Sequence, residues 1–227
     1  MDKIHKILAD RTQRAIAILD DDILIKKYAA IDLSESNEHL MEYDIDNHYD
    51  CQEYVDMILM RNNSIVAFGG YLEKRNLYSK NSSFNNNGIS RNVHLGMDFW
   101  AKAGTKVVTP VDGKVHSFQN NSNYGDYGPT IILEHELNGL NFHSLYGHLS
   151  VESLDGLYFG KLFRRGETLA TLGSPEVNVG YAAHFHFQII VDMQGYVGDY
   201  PGVCAERALE YYTRNCPDPN LLLKIGL

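Results

Sequence analysis

Cysteine is scarce in this chain of 227 residues: Cys51, Cys204 and Cys216 are all there are. Their number is odd and no C-x-x-C spacing occurs, which argues against a disulfide framework and against a cysteine-rich zinc site. Long apolar runs are also missing. Nothing approaches the roughly 18 apolar residues of a membrane span. The N-terminal stretch MDKIHKILADRTQRAIAILDDD alternates charge with apolar positions, without the uninterrupted apolar core and small-residue cleavage site of a signal peptide. The expectation is a cytoplasmic protein with no membrane partner. A basic stripe is lacking too, so no nucleic-acid partner is expected. The net charge is −9, and residues 1–60 carry 14 acidic against 6 basic side chains, which reads as a solvated acidic helical face. There is no internal repeat and no low-complexity tract, and no pattern specifies an oligomeric state.

What is present changes character along the chain. Ile4, Ile7, Leu8, Ala15, Ile18 and Leu19 fall at helical spacing. A second helix is expected to start near Asp50, where Asp50 and Glu53 form a capping-box-like pair ahead of Tyr54, Val55, Ile58 and Leu59. Residues 64–71 read as a strand and 78–92 as a polar, Asn- and Ser-rich loop. From there to about residue 195 the chain is a series of short strands, TKVVTPV, GKVHSF, TIILEHEL, NFHSLYGHL, ETLATLG and HFHFQIIV, separated by turns such as Val-Asp-Gly, Leu-Asn-Gly and Arg-Arg-Gly. The tail reads as a helix ended by Pro217. The fold class is therefore mainly β, an antiparallel sheet or sandwich core with an N-terminal helical prefix over 1–62 and a domain over 63–227 that includes a short helical tail.

The chemistry concentrates in a few histidines. In AAHFHFQII, His184 and His186 lie two apart in a strand and share a face, while Phe185, Phe187 and Ile189 fill the other. Such a pair suits a metal site, an acid–base pair, or both. Upstream, HLGMDFW sets His94 and Asp98 four apart, with Gly96 between them to permit a bend. Those two with one histidine of HFH would make three protein ligands, the usual number of a catalytic zinc site that keeps a position for water. The other histidine would be free for proton transfer. LYGHLS places His148 near a strand end, and His143, five earlier, falls on the opposite face. His116 and His135 stand alone in strands and read as structural or solvent-facing. His5, His39 and His48 have no cluster partners.

Together HLGMDF, YGHLS and HFHFQI resemble the lysostaphin/LytM-type zinc metallopeptidases, whose order is H-x-x-x-D, then G-H or A-H, then H-x-H. AKAGTKVVTPVDGKV and RRGETLATLGSP resemble the strands that flank these elements there, so the likeness covers about residues 65–195. It implies zinc as cofactor, His94, Asp98 and His186 as its ligands, His148 and His184 as catalytic histidines, and a peptide or amide substrate cleaved by activated water. GGYLEKRNLY, GDYGPTIILEH and GDYPGVCAERA with CPDPNLLL resemble a cytosolic branch in which this domain is joined to kinase-like and aminotransferase-like domains. That narrower likeness implies Tyr71, Glu73, Arg75 and Tyr78 as site-lining groups. Complete hydrolase motifs without an export signal point to a small soluble peptide or amide, such as a peptidoglycan-derived fragment, in place of intact wall. The weighed alternatives are a phosphohistidine carrier of the sugar phosphotransferase IIA type, a non-catalytic binding or activator domain of the same fold, and a biotinyl- or lipoyl-like carrier. The second histidine of HFH and the GHL element favour the hydrolase over the first. The filled ligand positions favour it over the second, and the lack of a lysine in the right hairpin context favours it over the third.

Overall fold

A computed structural model describes residues 3–20, 22–76, 85–86, 89–123, 125–178 and 180–226. Its centre is an eight-stranded sheet. The strands are β1 (Tyr28–Ala30), β2 (Val66–Gly69), β3 (Met97–Trp100), β4 (Gly113–Asn121), β5 (Gly128–Leu137), β6 (Leu140–Gly147), β7 (Leu162–Phe163) and β8 (His184–Ile190). Their order across the sheet is β1-β2-β3-β8-β6-β5-β4-β7. Every pair is antiparallel except β1 with β2. The β5–β6 hairpin turns on Asn138 and Gly139, both at positive φ (51° and 74°), the two-residue geometry whose twist matches that of paired strands. Short antiparallel pairs flank the sheet: 93–94 with 203–204, and 106–108 with 168–171.

Alternation along β8 creates two chemically different faces. Phe185, Phe187 and Ile189 are fully buried in the main core beside Phe99 and Tyr146. Burying each such side chain contributes about 1.5–3 kcal/mol. His184, His186 and Gln188 point the other way. This face is where the two halves of the site meet, because His186 stands directly opposite Asp98 of β3 and Gly147 of β6.

The N-terminal segment departs from its helical reading. Helix α1 spans only Lys3–Asp10 and buries Ile4 and Leu8. The hydroxyl of Thr12 then accepts the Arg14 N–H, and the chain runs extended. The Ile16 N–H donates to the Leu223 carbonyl (2.8 Å), the Val108 N–H donates to the Ile18 carbonyl (2.9 Å), and Leu19 bridges Val107. Tertiary partners thus override the apparent helical spacing. Helix α2 (His48–Arg61) exists where expected, but its cap is Asn47, whose side chain accepts the Tyr49 N–H; Asp50 lies inside the first turn and accepts the Asp44 N–H. Cys51, Tyr54 and Val55 of α2 pack with Leu33, Ala67 and Trp100. The prefix also supplies edge strand β1, so packing is continuous across residue 62. The tail forms α3 (Leu209–Asn215) and α4 (Asn220–Leu223), with Leu222, Leu223 and Ile225 in the main core. Among the described residues, no helix is long and apolar enough to cross a membrane.

Candidate metal centre and active site

His94 and Asp98 reach one point because the chain changes sheets between them. Residues 93–94 pair with 203–204, the backbone bends at Gly96, and 97–100 enter the main sheet as β3. Gly96 also makes room. A Cβ there would lie 2.6 Å from two ring atoms of His186 and 2.7 Å from the Phe187 carbonyl oxygen. Gly70, at φ 103°, plays the same part on the other side, where a Cβ would meet Arg75 and the His94 ring.

Three donor atoms converge. Nε2 of His94 lies 2.9 Å from Nδ1 of His186 and 3.3 Å from Oδ1 of Asp98, and Nδ1 of His186 lies 3.0 Å from that oxygen. All three residues are at most 2% exposed. The outward nitrogens are engaged. Nδ1–H of His94 donates to the Gly70 carbonyl (2.9 Å), and Nε2–H of His186 donates to Oε1 of Gln188 (3.0 Å). The inward nitrogens therefore present lone pairs beside a carboxylate oxygen. Three electron-rich atoms held together in a dry site are stabilised by a cation between them. Two imidazoles and one carboxylate are a donor set that fits zinc.

The other oxygen of Asp98 is occupied. Arg75 Nη1 donates to Oδ2 (2.6 Å), and Arg75 Nε donates to Glu73 (2.6 Å). Burial pushes the Asp98 carboxyl up, but in the acid range where it would titrate the charges of a protonated His94 and of Arg75 outweigh it and hold the group well below the usual carboxylate range. Burial, then the Arg75 charge, pulls His94 down to about 4, so His94 is neutral near pH 7 and the standing positive charge is that of Arg75.

His148 and His184 stand beside this cluster, with ring centroids 4.0 Å apart. His148 follows β6 at φ 61°, a left-handed conformation that costs a non-glycine residue energy and recurs at functional positions. Its N–H donates to the Tyr127 carbonyl (2.7 Å) and its carbonyl accepts the Gly173 N–H (3.0 Å), which fixes the kink. Nδ1–H of His184 donates to the Ala182 carbonyl (2.8 Å), and the ring stacks on Trp100. Burial lowers both histidines below the ordinary range; for His148 the neighbouring His184 adds to the effect. All five of these residues line one cleft of about 690 Å³, together with Arg75, Tyr127, Asp126, Asp199 and Tyr200, and with Leu33 and Cys51 from the N-terminal segment.

The remaining site-lining expectations separate. Arg75 lies in the cleft wall, whereas Glu73 holds Arg75 and accepts the Leu33 N–H (2.9 Å) outside it. Tyr71 is not in the wall: its hydroxyl donates to the Cys216 carbonyl (2.8 Å), because the strand end that carries it turns toward the tail. Tyr78 lies outside the described residues. His116 does not stand alone; its ring meets that of His143 edge-on at 4.9 Å. His135 is structural, bonded to the Asp112 carbonyl and the Ser144 hydroxyl. Sequence reasoning missed Gln188 and Trp100. The only signal for Gln188 was its place two residues beyond His186, on the same strand face.

Comparison with known proteins gives a match over the same stretch of chain. Residues 92–197 match the model of peptidase family M23. An uncharacterised metalloprotease of Haemophilus influenzae is 30% identical over 96 residues, which is 42% of this chain and 18% of that protein. The chain thus spans under a fifth of that relative's length. Among solved structures, the catalytic domain of lysostaphin from Staphylococcus simulans aligns over 56% of this chain and 82% of its own at 22% identity, with a TM-score of 0.37. A zinc-containing peptidase from Vibrio cholerae aligns over 47% and 30% at 27% identity, with a TM-score of 0.36. The stretch of chain that holds His94, Asp98, His148, His184 and His186 lies inside the match to peptidase family M23.

Proposed function

We propose that the chain is a zinc-dependent hydrolase that cleaves an amide or peptide bond with an activated water. The observation that carries this reading is the convergence of two lone-pair nitrogens and one carboxylate oxygen, with two neutral histidines alongside. His94, Asp98 and His186 would hold the metal. Bound there, zinc supplies Lewis acidity that polarises a carbonyl and acidifies water. The protein's own contribution is proton handling. The bond from Nδ1–H to Ala182 leaves Nε2 of His184 as an acceptor, so His184 is the group suited to take the proton of the attacking water. His148, pressed against it, stays neutral when His184 is charged, since two adjacent buried imidazoliums would repel. A neutral imidazole keeps one N–H, which His148 can donate to the developing oxyanion or the leaving amine.

The substrate we propose is a small soluble peptide or amide, such as a peptidoglycan-derived fragment, with intact wall a poor substrate. Leu33 and Cys51 in the cleft wall support this, because they make the N-terminal segment part of the boundary of a cleft of limited volume. A cytosolic setting is supported by three free, buried thiols. The test begins with metal analysis of the purified protein. About one zinc per chain is expected, depleted by His94→Ala or Asp98→Ala. Released amines are then followed on short muropeptides and on sacculi. Folded protein that stays metal-free after zinc is supplied would overturn the reading; rapid clearing of sacculi would overturn the substrate assignment.

A further inference from the structure

Gln188 is fully buried, uncharged and absent from the proton chemistry above, yet it touches a residue of the metal cluster. We infer that Gln188 is a positioning residue that fixes which nitrogen of His186 faces the metal, and that the chain after β8 fixes Gln188. The inference rests on the zinc reading for its functional meaning.

A neutral imidazole offers a lone pair on one nitrogen only, so the ligand face is set by what the other nitrogen bonds. His94 solves this with a backbone carbonyl, that of Gly70, which can only accept. His186 instead faces a side-chain amide, which offers an oxygen at one end and an NH2 at the other. Reversed, that amide would present donors to Nε2 and favour the tautomer with its proton on Nδ1, the nitrogen 3.0 Å from Asp98. Two groups beyond β8 receive its amide nitrogen, and the first decides the orientation. Nε2 of Gln188 donates to the Pro201 carbonyl (3.1 Å) and to Sγ of Cys216 (3.3 Å). A carbonyl cannot donate, so the NH2 must face the tail and Oε1 must face His186. Burial leaves no solvent to substitute. Cys216 is itself fixed: its N–H donates to the Tyr212 carbonyl (2.6 Å) and its carbonyl accepts the Tyr71 hydroxyl (2.8 Å). Pro201 and Cys216, both beyond β8, therefore form the outer support of the metal centre.

Three full-length variants separate this role from simple core filling. Gln188→Glu keeps an acceptor for Nε2–H, Gln188→Met keeps only volume, and Gln188→Lys offers a donor. Zinc affinity is measured by competition with a chromophoric chelator, well below each variant's melting temperature. Loss of such outer partners typically costs about 10–100-fold in metal affinity. Met and Lys are expected to show that loss, and Glu to bind nearly as the parent does, even if less stable. If Met binds like the parent, or if Glu and Met fail equally in step with their melting temperatures, Gln188 is a structural residue. A second readout needs no metal. In 15N-labelled parent protein the Nε2–H of His186 should be protected from exchange with or without zinc, and Gln188→Met should abolish that protection. An unprotonated Nε2 in the parent overturns the inference. A parent that shows the protected Nε2–H but takes up no zinc overturns the zinc reading and leaves the positioning by Gln188 in place.

Discussion

A histidine that must stay neutral is best kept dry, and the site histidines obey this. Burial lowers His148 and His184, so both remain neutral across physiological pH and charge only in acid. Hydrolysis should then be flat through neutral pH, with an acidic limb below the usual histidine value of about 6.5. A pH–rate profile whose acidic limb lies at or above that value would contradict the burial argument. His148→Ala and His184→Ala should retain zinc and lose about 10²–10⁴-fold in rate; release of zinc by either would move that residue into the ligand set. His135 shows the same physics away from the site. Burial pulls it down to about 4. Its folded value lies below its unfolded one, so the unfolded chain binds more protons between the two. The folded state therefore loses stability as pH falls from about 6.5 toward 4, by up to roughly 3 kcal/mol from this residue. Urea titrations at pH 7 and pH 4.5 should show a smaller loss for His135→Gln than for the parent. Equal losses would mean that His135 is not held neutral.

At the scale of elements, the site depends on a strand that breaks at one residue. Gly96→Ala places a Cβ 2.6 Å from the His186 ring, with backbone of β8 also in the way. Neither neighbour can yield cheaply, so the expected cost is about 1–3 kcal/mol together with weakened zinc binding. Gly139→Ala is the matched control. Space is open there but φ is 74°, so stability should fall while zinc affinity holds. Zinc titration and urea unfolding of both variants distinguish the two cases, and unchanged zinc affinity in Gly96→Ala would remove the site role given to that glycine. The same elements show what a sequence reveals. The strands from Lys106 to Ile190 were legible because period-2 alternation and turn residues are local signals. That His94 and Asp98 could meet a histidine of HFH was legible because histidine and aspartate in fixed spacing are rare on an apolar strand; that the one meeting them is His186 was implied only by the family resemblance. Residues 15–19 were misread as helix because their partners, Val107, Val108 and Leu223, lie far outside any local window. Asp50 was read as the cap where the structure uses Asn47, because both residue types suit the role and only the tertiary path of the chain chooses. Gln188 carried no charge to mark it.

At the scale of the molecule, the family match begins at residue 92, yet the core begins at residue 4. Ile4, Leu8, Ile16, Ile18 and Leu19 are at most 6% exposed and sit in the same cluster as Phe99, Phe185 and Phe187. Removing residues 1–20 would strip these five side chains and leave the Val108 N–H without its partner at Ile18. At about 1.5–3 kcal/mol per buried side chain, the loss is of the same size as the roughly 5–15 kcal/mol that holds an ordinary domain folded. A chain of residues 21–227 is therefore expected to lose cooperative unfolding and near-ultraviolet dichroism and to bind an apolar dye. A chain of residues 92–197 should fare worse, because it also lacks β1, β2 and the tail that seats Gln188. The measurement is a thermal melt of both fragments beside the intact protein, followed by near-ultraviolet dichroism. If 21–227 melts in one sharp step near the parent's temperature and still takes up zinc, the N-terminal segment is an appendage. If it does not, the family-matched stretch is part of a larger folding unit in which strand β1 and the buried isoleucines complete the sheet that carries the candidate site.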